Sequence, residues 1–326
     1  MKTFVQELED AIIYESHEVT KDEALKLYEA HSHELCGAAN RIRQQCASPV
    51  TSVCSVINAR QGGCSENCTY CAQSSHWSTS CQISPMIEPD RAVELCLRAL
   101  EGQVSRISLV TSGKATRGDD FERVLESFRA IKEQVGGKMA LCASLGIISF
   151  DQMLRLKEAG VVRYHHNLET SEHFFPHICT THTWADRLNT ARNAKKAGLE
   201  LCCGGIIGMG EGREDRVELA LAIRSLDVQS VPINVLTAIK GTPLEDTPPL
   251  SKEEILKTIA VFRFLMPHQV IRCAAGRKSL GDNGRDAFLS GANALISGDF
   301  LTIQGSSNEE DLAMLSELGY QSETFA

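Results

Sequence analysis

The first residues of this chain equipped for chemistry are three cysteines in one short loop. Gly62-Gly63-Cys64-Ser65-Glu66-Asn67-Cys68-Thr69-Tyr70-Cys71-Ala72-Gln73 spaces them as C-x3-C-x2-C, directly after the apolar run Val53–Ile57. Thiolates are soft ligands and prefer iron–sulfur clusters, zinc or Cu(I). Four of them close a tetrahedral site. Three on a cubane cluster leave one iron without a protein ligand, and an open metal position marks a site that does chemistry. The loop is rich in small and polar residues, so it can wrap a compact object. Spacing alone also fits a zinc ion completed by a distant fourth ligand, or three free core cysteines.

Three further stretches carry unusual groups. Tyr164-His165-His166-Asn167-Leu168-Glu169-Thr170 ends an apolar run in polar side chains. A buried Asn and Glu at a strand end need partners; ribose hydroxyls would supply them, and so would an ordinary helix N-cap. Gly204-Gly205-Ile206-Ile207-Gly208-Met209-Gly210-Glu211 would let backbone approach a ligand closely, or permit a tight strand-to-helix turn. Arg272 lies in an apolar strand-like run, where a cation is expensive to desolvate without a partner. An anionic cluster, a carboxylate or a structural ion pair would meet that need.

These groups need elements to hold them. Residues 1–47 read as amphipathic helices and form an N-terminal helical cap; residues 48–326 form the second unit. From Val50 on, short apolar runs alternate with helical patterns. The strands expected are Val53–Ile57, Ser105–Thr111, Met139–Leu145, Val161–Leu168, Leu199–Ile207, Pro232–Ile239, Gln269–Ala275 and Ala292–Ser297. Helices are expected near 89–101, 119–134, 149–159, 184–197, 213–226, 251–265 and 284–290. Alternation of this kind argues for a parallel sheet, and eight strands argue for a closed (β/α)8 TIM-type barrel. An open doubly wound sheet is second choice, because the first strand–helix turn carries cysteines and no dinucleotide fingerprint. In such barrels the site sits at the C-terminal ends of the strands, where the unusual residues fall.

Composition excludes several classes. The formal charge of −9 argues against a nucleic-acid partner. No apolar run approaches the ~20 residues of a membrane span. The acidic N-terminus lacks a signal-peptide core, so the 13 cysteines read as metal ligands or reduced thiols in a cytoplasm or an equivalent reducing compartment.

C-x3-C-x2-C with Tyr70 before its last cysteine resembles the cluster loop of the radical S-adenosylmethionine (SAM) superfamily. Asn58 to Ser75, Tyr164 to Ser171, Gly204 to Glu211, Val231 to Asn234, Lys240 to Leu244 and Ile271 to Arg277 resemble one family within it, biotin synthase, in order along nearly the whole barrel. The resemblance implies sulfur insertion into dethiobiotin, without side-chain acid–base catalysis. It implies Cys64, Cys68 and Cys71 on a 4Fe–4S cluster, and Tyr70, Asn167, Glu169 and Ile206 against SAM. Asn167, Asn234 and His165 would meet dethiobiotin. The family usually has Asp at Glu169 and often Asn at His165. It also implies a flavodoxin- or ferredoxin-type electron donor and a homodimer. The competing expectations are another radical SAM barrel, such as a mutase or maturase, and a zinc-stabilised structural barrel.

The resemblance further implies an auxiliary iron–sulfur cluster as sulfur donor, a 2Fe–2S cluster in the family. Cys142, Cys202 and Arg272 match three of its four ligands; Ser108 stands in place of the fourth, a cysteine. A neutral hydroxyl binds iron weakly. The expectation is therefore a remodelled, four-iron auxiliary cluster on Cys142, Cys202 and at least one of Cys81 and Cys273, with Arg272 nearby. Neighbouring strand residues face opposite ways, which sets Cys202 against Cys203 and Arg272 against Cys273 unless a bulge intervenes.

Overall fold

A computed structural model of the chain describes residues 1–298 and 305–324. Residues 299–304 and 325–326 of the expected second unit lie outside that description. The chain begins with three helices, α1 (Phe4–Glu15), α2 (Lys21–Leu27) and α3 (Ser32–Cys46). A short strand β1 (Val50–Thr51) follows. Then come β2 (Val53–Arg60), α4 (Pro89–Glu101), β3 (Arg106–Thr111), α5 (Gly118–Val135), β4 (Ala140–Ser144), α6 (Phe150–Glu158) and β5 (Val161–His165). The second half runs α7 (Trp184–Lys196), β6 (Glu200–Cys202), β7 (Gly205–Ile207), α8 (Arg213–Ser225), β8 (Ser230–Val235), α9 (Lys252–Leu265), β9 (Val270–Cys273), α10 (Arg285–Leu289) and β10 (Ala294–Ile296). It ends with α11 (Asn308–Glu317) and β11 (Gln321–Ser322).

Strands β2 to β10 are all parallel, and the pairings of β6 and β7 with β8 close them into a ring. The expected fifth strand is split into β6 and β7 at Cys203-Gly204, so the ring counts as eight strands. A Cβ on Gly204 would meet the Pro232 carbonyl at 1.9 Å, and one on Gly205 the Glu169 carbonyl at 2.3 Å. Gly204 and Gly205 therefore serve backbone-to-backbone approach inside the sheet. Pro232–Ile239 is trimmed because Leu236 leaves β9 and donates instead to the Ile207 carbonyl.

Helix α5 buries one face, while α9 is buried all round from Lys257 to Leu265. On α5, Phe121, Val124, Leu125, Phe128, Ile131 and Val135 recur at three- and four-residue spacing and are buried. Each such side chain stabilises the fold by about 1.5–3 kcal/mol relative to exposure. Ser149, Thr183 and Ser251 cap α6, α7 and α9 by accepting a backbone N–H three residues on. The N-terminal helices do not sit over a barrel end: α3 lies against α9 and α10, α2 against α8 and α9, and α1 on α3.

At the N-terminal end of the strands the interior is floored by ion pairs. Arg106 donates to Glu323 through Nε (2.8 Å) and Nη2 (2.7 Å), and Arg163 donates to Glu200 through Nε (2.8 Å). Glu323 arrives on the tail of β11, which pairs in parallel with β1. No helix among the described residues is long and apolar enough to cross a membrane.

Candidate functional site

The C-terminal ends of the strands open into a cavity of about 400 Å³ lined by Cys64, Cys68, Cys71, Tyr70, His165, Asn167, Glu169, Ile206 and Asn234. The structure thus brings nine of the sequence-selected residues to one place. The cysteine loop is held there by backbone and side-chain bonds. Cys64 N donates to Gln73 O (2.9 Å), and Trp77 Nε1 donates to Cys68 O (2.9 Å). Asn67 Oδ1 accepts from Thr180 N (2.9 Å) and Thr181 N (3.3 Å), which clamps the loop to the segment before α7. Gly62 and Gly63 have φ of 70° and 61°, and a Cβ on Gly62 would meet Gln82 O at 2.9 Å. Burial pushes the Cys71 thiol up to about 11. The Cys68 thiol is raised by its hydrogen bond with Cys179 and then by burial, while the same bond lowers Cys179.

On the opposite wall, Glu169 adopts a left-handed backbone (φ 70°) that turns its carboxylate into the cavity. Asn167 Nδ2 donates to Glu169 Oε2 (3.3 Å), and Asn167 Oδ1 accepts from Gly204 N (3.1 Å). Arg187 of α7 reaches in from outside: Nη1 donates to Asn167 O (2.9 Å), and Nη2 pairs with Glu169 Oε1 (3.2 Å). The sequence reading missed Arg187, which sits on a polar helix with nothing in its spacing to single it out. Burial, then the Arg187 charge, holds His166 neutral. Asn234 donates to Gly205 O (3.0 Å) and accepts from Ala275 N (3.1 Å), so one amide hydrogen remains.

Deeper in the barrel lies a second constellation, set by register alone. Strands in a barrel are tilted, so side chains at one height lie two residues further along the chain for every two strands crossed. Cys54 pairs with Arg106, and Arg106 with Ala140; two residues on is Cys142. Cys142 pairs with Arg163, and Arg163 with Glu200; two on is Cys202. Cys202 pairs with Ser230, and Ser230 with Val270; two on is Arg272. Arg272 pairs with Ala294 and the ring returns to Cys54. Cys54, Cys142, Cys202 and Arg272 therefore form one inward layer from alternate strands.

Each member of this layer is buried, Arg272 completely. Arg272 donates only to neutral oxygens: Ser52 O (3.0 Å), Leu295 O (2.7 Å), Ser52 Oγ (2.6 Å) and Ser230 Oγ (3.3 Å). Among the described residues no carboxylate pairs with it. A buried cation in that state is costly unless anionic groups share its space, and the three cysteines of its own layer would supply them as ligands of an anionic group. Ser108 Oγ and His165 Nε2 above the layer, and Arg163 Nη1 below it, are buried without a hydrogen-bond partner. Three orphaned polar atoms facing three thiols suit a sulfide-rich anionic group, so the residues fit a cluster.

The layer groups a different set of thiols from the one expected. Cys273 lies next to Arg272 on β9 and faces the outer helices, where burial pushes its thiol up to about 12. Cys203, beside Cys202, is likewise in the outer core. Cys81 stays at the mouth, where its Sγ accepts from Gln61 Nε2 (3.6 Å). Neither Cys81 nor Cys273 joins Cys142 and Cys202; the thiol that does is Cys54. Its signal was present in the sequence, because Cys54 opens the strand that feeds the cysteine loop. Only the pairing register shows which way it faces.

The radical SAM superfamily model matches residues 59–223, and the model of the biotin and thiamin synthesis associated domain matches residues 232–321. The chain is 46% identical over 323 residues to a biotin synthase of Clostridium tetani, covering 98% of each chain. It is 48% identical over 303 residues to a biotin synthase of Akkermansia muciniphila, covering 93% of this chain and 94% of that one. Its fold is similar to that of methylornithine synthase, with a TM-score of 0.82 at 20% identity over 97% of each chain. The FeFe-hydrogenase maturase of Carboxydothermus hydrogenoformans gives 0.81 at 15% identity, over 98% of this chain and 79% of that one. At such identities the structural likeness speaks for the fold alone.

Proposed function

The chain belongs to the biotin synthase family of the radical SAM superfamily, and from that premise we propose how its residues divide the work. It is a sulfurtransferase that converts dethiobiotin to biotin, using SAM, iron–sulfur clusters and a reductant. The target carbons of dethiobiotin carry unactivated C–H bonds that no side-chain base can deprotonate. When bound, a cluster and SAM supply a carbon radical that abstracts hydrogen from them, and a second cluster supplies sulfur.

The protein's share is positioning and exclusion of water. Cys64, Cys68 and Cys71 hold the SAM-binding 4Fe–4S cluster and leave one iron open. Tyr70 and Ile206 wall the SAM pocket, and Asn167 and Glu169 take the ribose hydroxyls. Arg187 is a positioning residue: its guanidinium keeps the Glu169 carboxylate ionised and aimed. Asn234 offers its remaining amide hydrogen to the ureido ring of dethiobiotin, and Asn167 and His165 complete that contact. The electron donor in this reading is a flavodoxin or ferredoxin, and the enzyme is a cytoplasmic homodimer.

The auxiliary cluster is held by Cys54, Cys142 and Cys202, with Arg272 as a neighbouring cation and Ser108 no ligand. Arg272 spends its nitrogens on Ser52, Ser230 and Leu295 and so stands aside as a ligand; the three thiolates then suit a four-iron cluster with one iron left free of the protein. The observation that carries this is the fully buried Arg272, with neutral partners only, in one layer with three thiols. Iron and sulfide analysis with Mössbauer spectra tests it. Two four-iron clusters are expected in the wild type and one in Cys54→Ala. A two-iron signal that survives Cys54→Ala refutes the ligand set.

A further inference from the structure

The segment that clamps the cysteine loop carries its own soft donors. Cys179 and His182 follow the one-turn helix at Phe175–His177 and stand just before Thr183, the cap of α7. The Sγ of Cys179, the Sγ of Cys68 and a ring nitrogen of His182 lie within 4.8 Å of one another, and all three side chains are buried. Among the described residues no other three His, Cys, Asp or Glu side chains gather so closely. Neither the C-x3-C-x2-C trio nor the interior thiol layer is drawn together to that degree. The fold has thus placed a C-x2-H pair from one segment against a cysteine of another.

The imidazole has a carboxylate on one nitrogen and a thiol beside it. His182 Nδ1 lies 2.7 Å from Glu66 Oε2, and Glu66 Oε1 accepts from Ser65 Oγ at 3.0 Å. With its proton on Nδ1, directed at the carboxylate, the ring keeps a lone pair on Nε2; Cys179 Sγ lies 3.3 Å from Nδ1 and 3.9 Å from Nε2. A carboxylate behind the far nitrogen fixes tautomer and orientation in metal-binding histidines. Phe175 packs edge-on against the ring at 5.6 Å and seals that side. Two thiolates and one imidazole are a soft donor set, suited to Zn2+, Co2+ or Fe2+, and three ligands leave a fourth position for solvent. Two thiolates also cancel the charge of a divalent ion, which a buried site requires.

We propose that Cys68, Cys179 and His182 hold one thiophilic divalent cation whenever the cluster of the neighbouring loop is not in place. The proposal rests on the assignment of Cys68 to that cluster for one consequence only: ion and cluster exclude each other, because both need the Cys68 thiolate. Ferrous iron at this site lies on the way to the cluster, since it already sits on one of the cluster's ligands. Zinc at the same site blocks assembly.

The test uses the full-length chain, stripped of iron and sulfide without oxygen, with circular dichroism as the check on folding. Titration with Co2+ is expected to give one ion per chain, with a thiolate charge-transfer band and the visible bands of a tetrahedral site. Cys179→Ser and His182→Ala should each lose these bands, and Glu66→Gln should bind about tenfold more weakly. Cys64→Ala and Cys71→Ala should keep them. Cobalt binding that survives Cys179→Ser but vanishes in Cys64→Ala places the ion in the motif and overturns the proposal; absence of binding to the wild type does the same. In a second arm, one equivalent of Zn2+ or Fe2+ precedes iron and sulfide. Zinc should suppress the cluster absorbance in the wild type and not in Cys179→Ser, while ferrous iron should suppress neither. Equal suppression by zinc in both proteins overturns the proposal. None of these readouts involves SAM cleavage, so they stand or fall apart from the enzymatic assignment.

Discussion

The cysteine loop at the mouth and the thiol layer inside the barrel present the same ligand type by different means. At the mouth three thiols come from one contiguous stretch, and side-chain and backbone bonds to residues 178–182 hold them. Inside, three thiols come from three strands, and the pairing register alone sets them level. In the proposed reading the mouth would keep a cluster open to a small molecule. The interior lines its thiol layer with Arg272 and the unpartnered Ser108, Arg163 and His165 atoms, floored by the pairs of Arg106 and Arg163 with Glu323 and Glu200. A loop can be tuned without disturbing the sheet. A layer cannot, because each of its residues is also part of the barrel's packing.

The sharpest separation of the two regions comes from the mouth. Replacing Cys64, Cys68 or Cys71 by Ala is expected to abolish reductive SAM cleavage with the barrel still folded. If reconstituted, reduced Cys68→Ala makes 5′-deoxyadenosine at the wild-type rate, the loop does not hold the SAM-binding cluster.

In the interior the outcome should differ in kind. Cys54→Ala and Cys142→Ala are expected to retain SAM cleavage when dethiobiotin is present and to lose biotin formation, with iron reduced to one cluster. Loss of both activities together would merge the two regions into one unit.

Between the regions, Asn234→Ala should weaken dethiobiotin binding by about 1–3 kcal/mol, the range for a lost buried hydrogen bond. Stimulation of SAM cleavage by another substrate, with no response to dethiobiotin, would remove the substrate assignment. At the floor, Glu323→Gln keeps the shape but takes the charge from Arg106. Urea unfolding should show a loss of about 1 kcal/mol, small because Glu323 is partly exposed. The smallest effect is expected outside the layer: Cys81→Ala and Cys273→Ala should leave iron and sulfide content unchanged. A fall in either would return that cysteine to the ligand set.

The strands were legible from alternation of apolar runs and amphipathic helices, and the boundaries differ mainly where backbone geometry intervenes. Gly204 is the case in point, since its role is fixed by the Pro232 carbonyl across the sheet, which no local pattern records. Arg187 was not legible either; it acts from α7 on residues at β5's exit, a contact that the polar pattern of α7 does not record.

The sequence by itself determined the closed barrel and the cysteine loop with its chemistry. Both depend on short-range information: hydrophobic period for the strands and helices, ligand spacing for the loop. The tertiary structure alone decided which other thiols meet. Cys54, Cys142 and Cys202 are joined, and Cys273 and Cys81 left out, by strand tilt and pairing register, because a shift of one residue turns a side chain from the interior to the helix layer. Cys179 and His182 meet Cys68 for the same kind of reason, since the contact is made between segments that share no sequence signal.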